Sequence, residues 1–255
     1  MRQRSTSDEG IIRPGRGRGD PDIGPDAIMV MVPSELGFLA RKTGAERIPL
    51  RDAGLPCVYR AKGAWRNLSF SGPYLGAPQA VLAMEKLVAL GAGRFWVLGW
   101  CGSLQDSLRI GDVVIPSGVV SEEGTSSHYP IGELEAGPDP ILRQRLEDAL
   151  VEKGLPFRSG RIWTTDAPYR ETPDKVLYHQ REGVLAVEME MSALMTVGLF
   201  RSVAVTALLV VSDELFDLTW HRGFSNPKLK KATRSGAEIL LQLAQSTAAS
   251  EEKAN

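Results

Sequence analysis

Two apolar spacings alternate along the chain. Residues 27–32 are a short apolar run; Pro33, Ser34 and Glu35 then open a helically spaced stretch that stops at Gly44, the pattern of a strand feeding a helix. Residues 77–90 place Val81, Leu82, Met84, Leu87, Val88 and Leu90 at helical intervals ahead of Gly91, and Phe95-Trp96-Val97-Leu98 is a buried-strand run that ends in glycine. Asp139-Pro140 caps a helix with Leu142, Leu146, Ala149 and Leu150 inward, stopped by Gly154, and Thr172-Pro173 opens another that Gly183 stops. Residues 184–187 read as a strand and 192–199 as a small-residue helix. Residues 203–211 are apolar throughout, as a strand covered on both faces is. Asn226-Pro227 opens the last helix, with Leu229, Ala232, Leu240 and Leu243 inward.

Strands alternating with helices predict one α/β domain, a central mixed, mostly parallel sheet flanked by helices in three layers. No internal repeat and no clean cut for a second domain occurs. Residues 27–247 are expected to form this domain. Residues 1–26 are rich in Gly, Pro, Arg and Asp and lack apolar periodicity, with five arginines matched by five acids; they read as a disordered tail. Residues 248–255 read as a frayed end.

Composition narrows the class. The chain has 255 residues, 30 basic against 31 acidic side chains, and is 43% hydrophobic, which is ordinary for a globular protein. A balanced charge disfavours a protein built to coat nucleic acid or an anionic membrane. Cys57 and Cys101 are too few for a disulfide framework or a cysteine-rich zinc site, and no His/Cys/Asp spacing resembles a metal site. With no secretory apolar region near Met1 and no ~18-residue apolar run, a cytoplasmic location is the expectation.

Such sheets bind ligands beyond the carboxyl ends of their strands, which directs attention to the residues after Leu98, Trp163, Val187 and Val211. After Leu98 come Gly99, Trp100, Cys101, Gly102 and Ser103, whose glycines allow close approach of backbone N–H groups to an anion or sugar. After Val187 come Glu188, Met189 and Glu190. An ionised carboxylate only accepts hydrogen bonds, so Glu190 suits a vicinal diol such as the ribose 2′,3′-hydroxyls; equally, it could complement a helix N-terminus. After Val211 come Ser212 and Asp213, the latter a general acid or the N-cap of a following helix.

Taken together, GWCGSL (99–104), IGDVVIP (110–116), GTSSHYP (124–130), TTDAPYRE (164–171), VEMEMSAL (187–194) and VVSDEL (210–215) resemble the nucleoside phosphorylase superfamily, which includes purine nucleoside phosphorylases, uridine phosphorylases and methylthioadenosine/adenosylhomocysteine nucleosidases. The likeness runs over about residues 27–245. It implies a single-domain three-layer fold and cleavage of an N-glycosidic bond. Glu190 matches the glutamate that holds the ribose hydroxyls, Met189 the methionine under the sugar, and Glu188 a neighbour at the 2′-hydroxyl. Asp213 matches the aspartate at the purine N7, with Ser212 supporting it. Tyr169 lies in the segment that supplies an aromatic wall, and His128 could approach the 5′ end of the sugar. No cofactor is implied beyond inorganic phosphate as a co-substrate. Homo-oligomers are usual, and the partners are small molecules.

The phosphate site departs from the family. The loop after the first strand lacks the Gly-Asp-Pro-x-Arg pattern and has no arginine before Arg41; Val97 stands where an arginine is usual, and Trp100 where a serine or threonine is. Losing charged donors to a buried anion costs roughly 1.5–3 kcal/mol each. Ser103, Arg109, Arg170 and Arg222 are replacement candidates. Three functions follow: phosphorolysis to free base and ribose 1-phosphate, preferred for a purine; hydrolysis by water activated at Glu35; or nucleoside binding without turnover. His179 and His221 are expected at the surface.

Overall fold

The computed structural model describes residues 10–49 and 57–252. They form ten strands and six α-helices: β1 (Asp26–Val30), α1 (Pro33–Lys42), β2 (Glu46–Ile48), β3 (Cys57–Arg60), β4 (Leu68–Gly72), α2 (Ala77–Ala89), β5 (Arg94–Ser103), β6 (Val113–Glu122), α3 (Pro140–Glu152), β7 (Phe157–Thr165), α4 (Pro173–Arg181), β8 (Ala186–Glu188), α5 (Met191–Arg201), β9 (Ala204–Glu214), β10 (His221–Arg222) and α6 (Pro227–Glu252).

One mixed sheet runs β10-β9-β6-β7-β8-β5-β1-β4-β3-β2. Its long pairings are parallel, as between β5 and β9 or β6 and β7; the antiparallel ones are short. β5 also pairs with β9, so β5, β9, β6, β7 and β8 close a ring. Alternation assigns the faces. Ala27 and Met29 of β1, Val97 and Cys101 of β5, and Leu209 and Val211 of β9 pack with α2 and α5. Ile28, Val30, Trp96, Leu98, Leu208 and Val210 point the other way, into α1, α3 and α6. Both sheet faces are therefore apolar, which is why residues 203–211 read as one unbroken hydrophobic run.

Helix ends follow the local chemistry. Asp139 caps α3 by accepting from Leu142 N at 2.8 Å, as its position before Pro140 foretold. Two ion pairs clasp helices together: Glu85 of α2 takes Arg201 of α5 at 2.6 and 2.7 Å, and Glu35 of α1 takes Arg234 of α6 at 2.6 and 3.2 Å.

Packing starts before β1. Ile23 is fully buried, Lys86 pairs with Asp20 at 2.8 Å, and Arg16 donates to Leu90 O. Of the expected tail, residues 1–9 lie outside the described residues, and residues 15–25 lie along the end of α2. The expected frayed end falls partly in α6, which runs to Glu252; residues 253–255 lie outside the described residues. No helix among the described residues is long and apolar enough to cross a membrane.

Candidate active site

β8 ends where α5 begins, and the two glutamates there divide the roles. Glu188 caps the helix: its Oε2 accepts from Glu190 N at 2.6 Å and Met191 N at 2.8 Å, and its Oε1 accepts from the Thr164 hydroxyl of β7. Thr164 Oγ1 in turn accepts from Ser192 N at 3.0 Å. The sequence offered Glu190 for this capping; the structure gives it to Glu188, two residues earlier, across a bend at Met189 and Glu190. Glu190 makes no side-chain cap bond. Its Oε1 instead accepts at 2.6 Å from the N–H of Gly76, the N-cap of α2. Both carboxyls are buried. Burial raises both above the ordinary carboxylate range, and for Glu188 the adjacent Glu190 charge adds to it. Met189 is half-buried between them.

Asp213 lies within β9, not after it, and no helix follows, so the N-cap alternative for this residue does not hold. Its Oδ1 accepts from Ser212 Oγ at 2.6 Å and its Oδ2 from Trp220 Nε1 at 2.8 Å. Gly102 joins this acid to the glutamates. It pairs with Val187 of β8 on one side and Asp213 of β9 on the other. A Cβ built on it would lie 3.3 Å from both Val187 Cγ1 and Asp213 Oδ2, and 2.6 Å from Leu215 Cδ1. The neighbouring Cys101 thiol is pushed well up by burial and by the nearby charges of Asp213 and Glu188. The end of β5 thus lies between the strand that carries Asp213 and the strand that leads into Glu188 and Glu190.

A fourth carboxyl stands near this group. Glu171, in the turn before α4, is raised to about 7 by burial and by the charge of Asp213, and it has no side-chain partner among the described residues. The motif TTDAPYRE contains it, but nothing local marked it. Gly76 and Thr164 were also missed, because their partners lie far along the chain, and Trp220 because only the pairing of β10 with β9 brings its indole to Asp213.

The remaining candidates fall elsewhere. Gly99 and Trp100 do not form a loop; β5 continues through Ser103, its backbone engaged with β9 and β8. A Cβ on Gly99 would sit 3.0 Å from Leu209 Cδ2, so glycine here permits strand packing. Trp100 turns toward α6, donating to Thr233 Oγ1 at 3.0 Å and stacking on Phe224 at 6.0 Å. Ser103 is fully buried and donates to Gln105 O at 2.8 Å. Arg109 pairs with Glu214, and Arg222 stacks on Trp220. Arg170, His128 and Tyr169 are exposed, Tyr169 at 94%, so its ring forms no wall of the site within this chain. Glu35 is not a free carboxylate at a helix start, as hydrolysis required, but the buried half of the α1–α6 clasp. His221 is exposed as expected; His179 is not. It is buried, stacked on Trp163 at 4.3 Å and bonded to Glu122 at 3.2 Å. Among the described residues no group of three or more His, Cys, Asp and Glu could hold a metal.

The chain belongs to the phosphorylase superfamily, whose model matches residues 25–245. It is 27% identical over 177 residues to a guanosine phosphorylase of Halorubrum lacusprofundi, covering 69% of this chain and 73% of that one. It is 31% identical over 165 residues to a DeoD-type purine nucleoside phosphorylase of Bacillus cytotoxicus, covering 64% and 68%. Two solved structures share the fold. A purine nucleoside phosphorylase from Toxoplasma gondii in complex with immucillin-H superposes with TM-score 0.80 at 23% identity, over 90% of this chain and 93% of that one. A uridine phosphorylase from Vibrio fischeri gives 0.77 at 22%, over 87% and 92%.

Proposed function

We propose that this protein is a nucleoside phosphorylase of the pentosyltransferase type that cleaves purine nucleosides, with inorganic phosphate as co-substrate and no cofactor. One observation carries the reading: Gly102 of β5 pairs with Asp213 on one side and on the other with Val187, from which the chain runs through Glu188 to Glu190. Cleavage builds positive charge on the ribose and negative charge on the base. A carboxylate that accepts from the 2′- and 3′-hydroxyls and an acid at N7 answer both halves. In this reaction a phosphate oxygen bonds to C1′, the C1′–N9 bond breaks, and the base leaves with a proton at N7 held by Asp213. Met189 lies under the sugar, and Glu188 fixes the junction from which Glu190 projects. The purine preference rests on Asp213, since N7 can share its proton, and agrees with the names of both curated relatives.

Hydrolysis is disfavoured because Glu35 is bound to Arg234. Plain binding is disfavoured because a diol site needs no acid at the base.

The test is base release from inosine, guanosine, adenosine and uridine with and without phosphate. Release of purine bases only when phosphate is present supports the proposal; equal release in phosphate-free buffer overturns it. Asp213→Asn should lower purine turnover by about 10²-fold or more, the scale of a lost general acid.

A further inference from the structure

Trp100 replaces a small polar residue of the family pattern, and nothing in the proposed reaction uses it. Its surroundings supply a reason. Trp100 stacks on Phe224 at 6.0 Å, and Phe224 meets Trp220 edge-on at 6.4 Å. Arg222 covers the Trp220 ring at 5.2 Å. The ladder is tied down at both ends: Trp100 donates to Thr233 of α6, and Trp220 donates to Asp213 Oδ2 at 2.8 Å. The segment that carries it is also pinned by backbone, with Arg222 in register with Asp213 in β10 and Gly223 N donating to Ser212 O at 2.9 Å.

We propose that Trp220 is a positioning residue for Asp213, held in place by the aromatic ladder from Trp100 through Phe224. This rests on the reading of Asp213 as the group that shares a proton with the purine N7. A carboxyl on a strand end can turn about its last torsion. With the Ser212 hydroxyl on Oδ1 and the indole N–H on Oδ2, its plane is fixed. Each donor claims one lone-pair direction, so a proton carried by Asp213 must lie in a remaining one. Indole is a donor only; it can orient the carboxyl but cannot take the proton. Trp220 is 51% exposed, so its ring contributes little to the core, and its bond to Asp213 is its distinctive contact.

The test compares inosine with 7-methylguanosine, each with phosphate, in the wild type, W220F and W220H. The 7-methyl base leaves without a proton at N7, so its cleavage does not depend on how Asp213 is aimed. W220F keeps an aromatic ring against Phe224 and Arg222 and loses the N–H. It should lower kcat on inosine by about 10-fold, the scale of one lost hydrogen bond to a charged group, with KM nearly unchanged. It should leave 7-methylguanosine within about 2-fold. W220H, which retains a ring N–H, should recover part of the inosine rate. Equal losses on both substrates would mark a merely structural residue, and an unchanged inosine rate would remove the role altogether; either result overturns the inference. A wild type that cleaves neither nucleoside overturns the underlying reading and the inference with it. A wild type that is active while W220F shows no substrate difference overturns the inference alone.

Discussion

Glu171 shows how one side chain makes the site sensitive to pH. Burial and the charge of Asp213 raise its carboxyl to about 7, against 4.5 for an unperturbed glutamate. Between those values the native state holds a proton that the unfolded chain has released, so stability falls as pH rises through that window. Glu171→Gln removes the fall. After allowance for partial solvent screening, the variant should gain about 1–2 kcal/mol over the wild type at pH 8 and nothing at pH 4. Urea midpoints at the two pH values measure this, and an identical difference at both would refute it. The residue scale is also where the sequence misled most. The pair Glu188 and Glu190 was visible, as was the choice between capping and diol binding. That Glu188 caps α5 while Glu190 reaches Gly76, more than a hundred residues away, is encoded by no local pattern. Trp220 was silent for the same reason: its partner Asp213 is near in sequence, but only the return of β10 onto β9 brings the indole to the carboxylate.

At the scale of elements, the signals with strong local chemistry were legible. Asp139-Pro140, Thr172-Pro173 and Asn226-Pro227 each open a helix where they were expected to. The strands β2, β3 and β4 were not foreseen, because they are short and lack a long apolar run. β5 was cut short at Gly99, since glycine ordinarily weakens a strand; here Leu209 and Leu215 crowd the positions where side chains would stand. The Glu35–Arg234 clasp makes a prediction at this scale. The Glu35 side chain is 5% exposed and that of Arg234 43%. Arg234→Ala leaves a buried carboxylate without its partner and should cost about 3 kcal/mol. Glu35→Gln removes the charge together with the need for a partner and should cost about 1 kcal/mol. Thermal unfolding ranks the two. Base release by Glu35→Gln should stay within about 2-fold of the wild type, because a residue that only joins two helices supplies no step of the roughly 10²–10⁴-fold size of proton transfer. Loss of release in a folded Glu35→Gln protein would return the residue to the chemistry.

At the scale of the whole molecule, the closed ring of β5, β9, β6, β7 and β8 brings together the strand ends that carry Asp213, Glu188 and Gly102, and exposed leucines stand near Gly76. Leu75, 76% exposed, directly precedes Gly76, the residue that holds Glu190, and Leu82, 56% exposed, follows seven positions later. Leu75 lies just before the N-cap of α2, with its N–H donating to the Gln79 side chain at 2.8 Å, and Leu82 lies on α2 itself. Scattered apolar residues on a surface need no explanation, but Leu75 adjoins Gly76, whose N–H holds Glu190, so a protein surface that covered both leucines would reach the site. A second copy of the chain is the occupant that agrees with the oligomers implied by the family resemblance. Leu82→Glu would place a charge at one of these leucines without touching the buried side of α2. If the chain pairs with a copy of itself through Leu75 and Leu82, this variant sediments lighter than the wild type, and base release falls with it. If the wild type sediments as a monomer at working concentration, the two leucines have another use; if Leu82→Glu dissociates the oligomer and leaves turnover intact, each chain completes its site alone.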